Sequence, residues 1–340
     1  MGQGSGDGAR QVAVSGGLIA MAITVSLTFF SGIARTFRKW ADFVKISHTI
    51  FALPFALASM AVAARDTNGW PGWRTFLLIL AAMVSARTCA MTFNRIVDRK
   101  FDRENPRTAQ RHLATGAISV VGAWGLWTLS AAGLVAASYG LNRVCFWLSP
   151  VALFVVCFYS LTKRFTDFTH VYLGVALALA PIGAWLAVRG NFVLFPVENG
   201  WLSLGHSAIL PLLLAVGVVF WLVGFDIIYA IQDYEYDRRK GLHSLVVRWG
   251  VNNALGAAFL AHLVMWGILV AFGAVARFRL VYWMGLVFIL VCLLMEHWLA
   301  RRRSLNWVNN AFFRLNGVIS MIFLFATLTE VVLPCFRMRA

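Results

Sequence analysis

Nine stretches of this 340-residue chain are long and apolar enough to cross a bilayer: roughly 46–64, 76–94, 119–139, 144–162, 171–188, 209–231, 254–274, 281–299 and 315–333. A spanning helix needs about 20 mainly apolar residues, because each residue advances about 1.5 Å through a hydrocarbon layer of about 30 Å. Inside that layer every backbone N–H and C=O must be satisfied within the protein, which leaves helices as the fold for runs of this length. The sequence therefore predicts an all-α, polytopic membrane protein with nine transmembrane helices. A tenth apolar run, roughly 12–33, follows a Gly-rich start. It reads as an extra helix, a signal-like segment, or a misassigned start with Met21 as the later one. Residues 1–39 are accordingly set apart as an N-terminal extension, and residues 40–337 form the functional domain.

Composition agrees. Hydrophobic residues make up 60% of the chain and charged residues only 13%, against about 25% charged in soluble domains, so a soluble protein is excluded. The net charge of +16, from 30 basic and 14 acidic residues, invites a nucleic-acid reading. The cations, however, lie in short loops between apolar runs, where topology and a lipid bilayer account for them and no nucleic-acid partner is expected. Twenty fall on one side: Arg35, Arg38, Lys39 and Lys45; Arg95, Arg99, Lys100, Arg103, Arg107 and Arg111; Lys163 and Arg164; Arg238, Arg239, Lys240 and Arg248; Arg301, Arg302, Arg303 and Arg314. Eight fall on the other: Arg65, Arg74, Arg143, Arg189, Arg277, Arg279, Arg337 and Arg339. The richer side is expected to face the cytoplasm, as in a bacterial-type inner membrane. The five cysteines are scattered, form no CxxC, and read as small buried hydrophobes.

Acids are few, and half of them fall in two short segments: Asp98, Asp102 and Glu104, then Asp226, Asp233, Glu235 and Asp237. Both segments lie at cytoplasmic ends of expected helices, where ionisable groups near a bilayer point to function. At about 100° per residue, Arg87, Asn94, Asp98 and Asp102 share one face of a continuing helix, and Asp226, Tyr229, Asp233 and Asp237 share another. A lone DxxxD pair is usually a solvated face. Two pairs at matching depth make an oxygen-rich site suited to Mg²⁺, which keeps waters and binds substrate phosphates. The surrounding Lys and Arg would take the remaining oxygens of a diphosphate.

These residues resemble the UbiA superfamily of intramembrane aromatic prenyltransferases. Asn94–Asp102 resembles its NxxxDxxxD motif, and Asp226–Asp237, continuing through Gly241 to Ser244, resembles its DxxYAxxDxxxD…G…S motif. Tyr159–Thr166 resembles its YxxxKRxT segment, and Lys45–Thr49 with Pro54 its opening segment. The resemblance spans roughly residues 40–335 and its second motif is closest to the 4-hydroxybenzoate branch. It implies a helical bundle around a central cavity, with two Mg²⁺ ions bridging a polyprenyl diphosphate beside an aromatic acceptor. Asn94, Asp98 and Asp102 would hold one metal, and Asp233 and Asp237 the other. Arg107, Tyr159 and Lys163 would contact diphosphate, Asp226 and Tyr229 would complete the substrate site, and Arg87 would lie near the acceptor. One departure stands out: Arg95 occupies the position after Asn94 where many members carry an aspartate.

The function so implied is Mg²⁺-dependent transfer of a polyprenyl group to the ring of an aromatic carboxylate such as 4-hydroxybenzoate, in quinone biosynthesis. A bicyclic acceptor, 1,4-dihydroxy-6-naphthoate on a route to menaquinone, is the alternative within the family. The 27 Phe, 14 Trp and 7 Tyr can line an allyl-cation pocket, although most suit lipid-facing or interfacial positions. Outside the family, a transporter would place its acids at midplane depth in broken helices. A CDP-alcohol phosphatidyltransferase would carry one dense acidic cluster, which the sequence lacks.

Overall fold

Lipid is as apolar as leucine, so helices in a bilayer associate through close packing and interhelical hydrogen bonds rather than through water exclusion. The computed structural model describes residues 38–45, 49–190, 197–198, 201–202, 206–301 and 305–333. It divides into two units, Met1–Ile46 and Ser47–Ala340. In the first, residues 38–43 are helical, and Trp40 meets Phe43 edge-on. The apolar run 12–33 lies outside the described residues.

Among its described residues the second unit consists of helices joined by turns, apart from a two-residue antiparallel pairing, β1 (Val197–Glu198) with β2 (Trp201–Leu202). Its helices are α1 (Thr49–Ala63), α2 (Trp73–Val97), α3 (Arg99–Glu104), α4 (Val120–Leu141), α5 (Arg143–Phe158) and α6 (Thr169–Arg189). They continue with α7 (His206–Ala230), α8 (Tyr234–Lys240), α9 (Leu245–Val275), α10 (Leu280–Arg301) and α11 (Leu305–Val332). Among the described residues, eight helical segments are long and apolar enough to cross a membrane. The ninth expected span corresponds to α1, which has 15 residues and is shorter than the apolar run that announced it.

Polar signals set the helix ends. Ser119 accepts a hydrogen bond from the Gly122 N–H, Asn142 from Cys145 and Ser244 from Val247, which caps α4, α5 and α9. Asn142 also donates to the Leu186 carbonyl at 2.8 Å, tying the start of α5 to the end of α6.

The helices pack as two linked groups. One runs α1–α6–α7–α9–α10–α11 and back to α1; the other joins α2, α4 and α5 to α6. Small residues allow the approach: Ala56, Ala58 and Ala61 of α1 are fully buried, against neighbours that include Trp185, Trp221 and Phe323. At Gly174 of α6 a methyl group would stand 2.9 Å from the Val219 carbonyl oxygen of α7, so these backbones are in direct contact. Hydrogen bonds deep in the first group join four helices. Trp221 donates to Asn316 at 2.8 Å, Asn316 to Glu296 at 3.1 Å, and the rings of His262 and His297 meet at 2.9 Å. The Trp221 carbonyl can only accept, so His262 carries its proton on Nε2 there, 3.2 Å away. With the His262 ring so oriented, its Nδ1 accepts from His297 Nε2–H.

Candidate active site

Both acidic segments lie on one rim of the bundle, and in each the helix is interrupted where a continuous one was expected. Asp98 (φ −88°, ψ 1°) separates α2 from α3. At this break Arg164 donates to the Val97 carbonyl at 2.8 Å. In the second segment Ile231–Asp233 forms a 3₁₀ turn between α7 and α8. The tighter winding rotates Asp233 away from the face that constant helical spacing assigns it. Gly241, with φ +65°, then ends α8 in the left-handed conformation that glycine adopts freely.

The segment after α3 stitches the two motifs together. Asn105 precedes Pro106 and is extended (φ −86°, ψ 118°), as a residue before proline prefers. Its amide donates to Asp233 at 3.2 Å, and its oxygen accepts from the Arg107 N–H. The Arg107 guanidinium grips Asp233 with two bonds, at 2.7 and 2.5 Å. It also reaches the Tyr229 hydroxyl at 3.1 Å and lies over that ring. Arg111 pairs with Asp102 at 2.6 Å, and Tyr236 donates to the Phe101 carbonyl at 2.9 Å.

The 3₁₀ turn Tyr159–Arg164 supplies the third wall. Lys163 bonds Asp237 at 3.3 Å and is surrounded by Asp226, Asp233 and Asp237. Its carbonyl accepts the His243 N–H, fixing this turn to the end of the second motif. Arg164 reaches Asp98 at 3.5 Å, and Asn94 donates to Asp98 at 3.0 Å. Burial, then the nearby Asp102 carboxylate, pushes the Asp98 carboxyl up to about 6 against the pull of Lys163 and Arg164.

The structure thus brings Asn94, Asp98, Asp102, Arg107, Lys163, Tyr229, Asp233 and Asp237 to one site, with Asp102, Asp233 and Asp237 buried. Tyr159 borders it, interacting with Arg87, Arg95 and Asp98. Asp226 bonds the fully buried His170 at 2.7 Å. Arg87 stands apart from the acids, beside Tyr159, with its Nε buried and without a hydrogen-bond partner. Glu104 and Glu235 point outward, the former paired with Lys240. Asn105, Arg111, Tyr236 and His170 were not anticipated as site residues. Only the Asn-Pro step before Arg107 gave a local signal.

Among the described residues, no three His, Cys, Asp or Glu side chains converge closely enough to hold a metal, and Asp98, Asp102, Asp233 and Asp237 are each engaged by a cation. The donor set still fits Mg²⁺. It consists of hard carboxylate and amide oxygens in two groups, and this ion is usually held by one or two carboxylates together with substrate phosphates.

The chain is similar to known proteins. A profile of the UbiA prenyltransferase family matches residues 52–318. The 4-hydroxybenzoate octaprenyltransferase of Pseudomonas aeruginosa is 30% identical over 288 residues, covering 82% of this chain and 90% of that protein. The apo structure of a UbiA homolog from Aeropyrum pernix K1 superposes with a TM-score of 0.71 at 30% identity, over 83% of this chain and 97% of that one. A UbiA homolog from Archaeoglobus fulgidus, solved with GPP and Mg²⁺, has the same fold, with a TM-score of 0.64 at 20% identity over 87% and 100% of the two chains. These matches set the transporter and phosphatidyltransferase readings aside: the chain is a multi-pass membrane prenyltransferase and belongs to the UbiA family.

Proposed function

We propose that this protein transfers a polyprenyl group from an allylic diphosphate to a ring carbon of an aromatic carboxylate, with 4-hydroxybenzoate as the acceptor, in quinone biosynthesis. The observation that carries the reading is the meeting of two acid motifs with four cations at one rim of an apolar bundle. The name of the Pseudomonas relative supports the acceptor, and the GPP- and Mg²⁺-bound Archaeoglobus homolog supports the donor and the ion.

Asn94, Asp98 and Asp102 would hold one Mg²⁺, and Asp233 and Asp237 a second. When bound, the ions supply positive charge that stabilises the departing diphosphate. Carboxylates that held metal would free Arg107, Arg111, Lys163 and Arg164 from their present partners, and these cations would then be available to diphosphate oxygens. As the C1–O bond breaks, the diphosphate leaves with the electron pair and the allyl cation is held among aromatic side chains. A ring carbon ortho to the acceptor hydroxyl forms the new C–C bond, and the ring proton is then lost. Asp226 is suited to receive it: His170 holds one oxygen, and the other has no hydrogen-bond partner among the described residues. Arg87 would pair with the acceptor carboxylate.

The test is a panel assay on purified protein with labelled allylic diphosphate. Transfer to 4-hydroxybenzoate should require Mg²⁺ and stop with EDTA. Preference for 1,4-dihydroxy-6-naphthoate would move the acceptor to the bicyclic alternative, and transfer surviving EDTA would remove the metal from the reading.

The rim is assigned to the cytoplasmic side of a bacterial-type inner membrane, from the twenty-to-eight division of basic residues. Single cysteines at Arg103 and Arg239 should resist an impermeant thiol reagent in right-side-out vesicles and react after lysis. Labelling from outside would invert the topology.

A further inference from the structure

Every cation drawn to the acids is already paired: Arg107 with Asp233, Arg111 with Asp102, Lys163 with Asp237 and Arg164 with Asp98. Arg95, in the last turn of α2, is different. The residue is only 6% exposed, yet its guanidinium makes no hydrogen bond or ion pair with any described residue. Unlike the Arg87 Nε, its nitrogens are not sealed off and keep some accessible surface. The groups acting on it electrostatically are Arg111, Asp102, Tyr159 and Tyr229, all residues of the site wall. Asp102 is taken by Arg111.

A buried guanidinium with no anion is expensive and persists where a ligand completes it. Its planar fork matches a phosphate or a carboxylate, the two kinds of anion in this reaction. Position selects the diphosphate over the acceptor carboxylate. Arg95 stands at the acid end of α2, next to Asn94, whereas Arg87 is eight residues back, about 12 Å along the helix axis. We propose that Arg95 is a further substrate-binding residue that contacts an oxygen of the prenyl diphosphate directly. This inference rests on the prenyl-transfer reading above.

The full-length protein in detergent, as wild type, Arg95→Met and Arg95→Lys, provides the test. First, thermal midpoints are measured without ligand. An arginine waiting for a ligand leaves the midpoint of Arg95→Met unchanged or raised, because an unpaired buried charge has been removed; a structural arginine lowers it. Second, inorganic diphosphate is titrated calorimetrically in the presence of Mg²⁺. The affinity of Arg95→Met should fall about 10–100-fold, with partial recovery in Arg95→Lys, the scale of one charged hydrogen bond. Third, the KM for the aromatic acceptor should stay within about twofold in all three proteins. Equal diphosphate affinity in wild type and Arg95→Met overturns the assignment, as does a change confined to acceptor KM, or a lowered midpoint in Arg95→Met with equal losses for both substrates. Failure of the wild type itself to bind diphosphate would overturn the functional reading rather than Arg95 alone.

Discussion

Asp233→Ala is expected to lower kcat/KM for the allylic diphosphate by about 10²–10³-fold, the scale of one lost electrostatic contact to a developing charge. Asp98→Ala, Asp102→Ala and Asp237→Ala should behave alike, since each removes one hard oxygen ligand from a site that works by balancing charge. Asp233 has the strongest additional reason. It is 6% exposed and accepts from Arg107 through two bonds and from Asn105 through one, so alanine there also strands a guanidinium that is itself partly buried. Asp66→Ala is the control. Asp66 forms an ion pair of 2.9 Å with Arg189, but its side chain is 76% exposed, and such surface pairs contribute about 0–1 kcal/mol. Turnover of Asp66→Ala should match wild type. Kinetics on membranes with equal amounts of folded protein decide the matter. Wild-type rates in any two of the four motif variants would sink the metal–diphosphate site.

Much of this fold is legible in the sequence because long apolar runs in a bilayer have one regular solution. Eight of the nine expected spans are matched by helices of spanning length; most ends shift by a few residues, while α9 begins at Leu245 rather than near residue 254. The acidic motifs were legible for a related reason: carboxylates are rare in this chain, and their spacing is regular. What spacing hid was the break in each motif. Reading 98 and 102, or 226, 229, 233 and 237, as single faces assumes one uninterrupted helix. At the interruptions the motifs are engaged by side chains from far along the chain, Arg164 at the Val97 carbonyl and Arg107 with Asn105 at Asp233. No local rule anticipates a bond across 67 or 126 residues.

The His170–Asp226 pair was hidden in the same way, and its cause is traceable. Gly174 lets α6 touch the backbone of α7 at Val219. One turn before Gly174 is His170, and two turns after Val219 is Asp226, so close passage of the two helices delivers one side chain to the other at 2.7 Å. A single glycine inside an apolar run gave no sign of which helix it would meet. The pairing of individual cations with individual acids was likewise out of reach, since charge counting reports topology and not partners.

Arg87→Leu should raise the acceptor's KM, or lower kcat/KM for the acceptor, by about 10²–10³-fold, or about 3–4 kcal/mol. The KM for prenyl diphosphate should change far less. Arg87 lies within α2, inside the span and away from either helix end, where a guanidinium without an anion is costly. Its neighbour Tyr159 offers no negative charge at neutral pH, and the Nε is buried with no partner. Asp98, Asp102, Asp233 and Asp237 are engaged by other cations and Asp226 by His170, and none of them is paired with Arg87. The remaining anion of the proposed reaction is the carboxylate of the aromatic ring, which a planar guanidinium binds through two parallel hydrogen bonds. Leucine keeps the apolar stem of the side chain and removes only the head, so loss of packing is small. Arginines within membranes also bond backbone carbonyls, and that role makes a different prediction: equal losses for both substrates and a lower thermal midpoint of the detergent-solubilised protein. Acceptors differing only in the carboxylate complete the test. For the wild type, replacing carboxylate by carboxamide should reproduce the loss seen in Arg87→Leu. In the variant the two acceptors should react at nearly the same rate, because the group that tells them apart is gone.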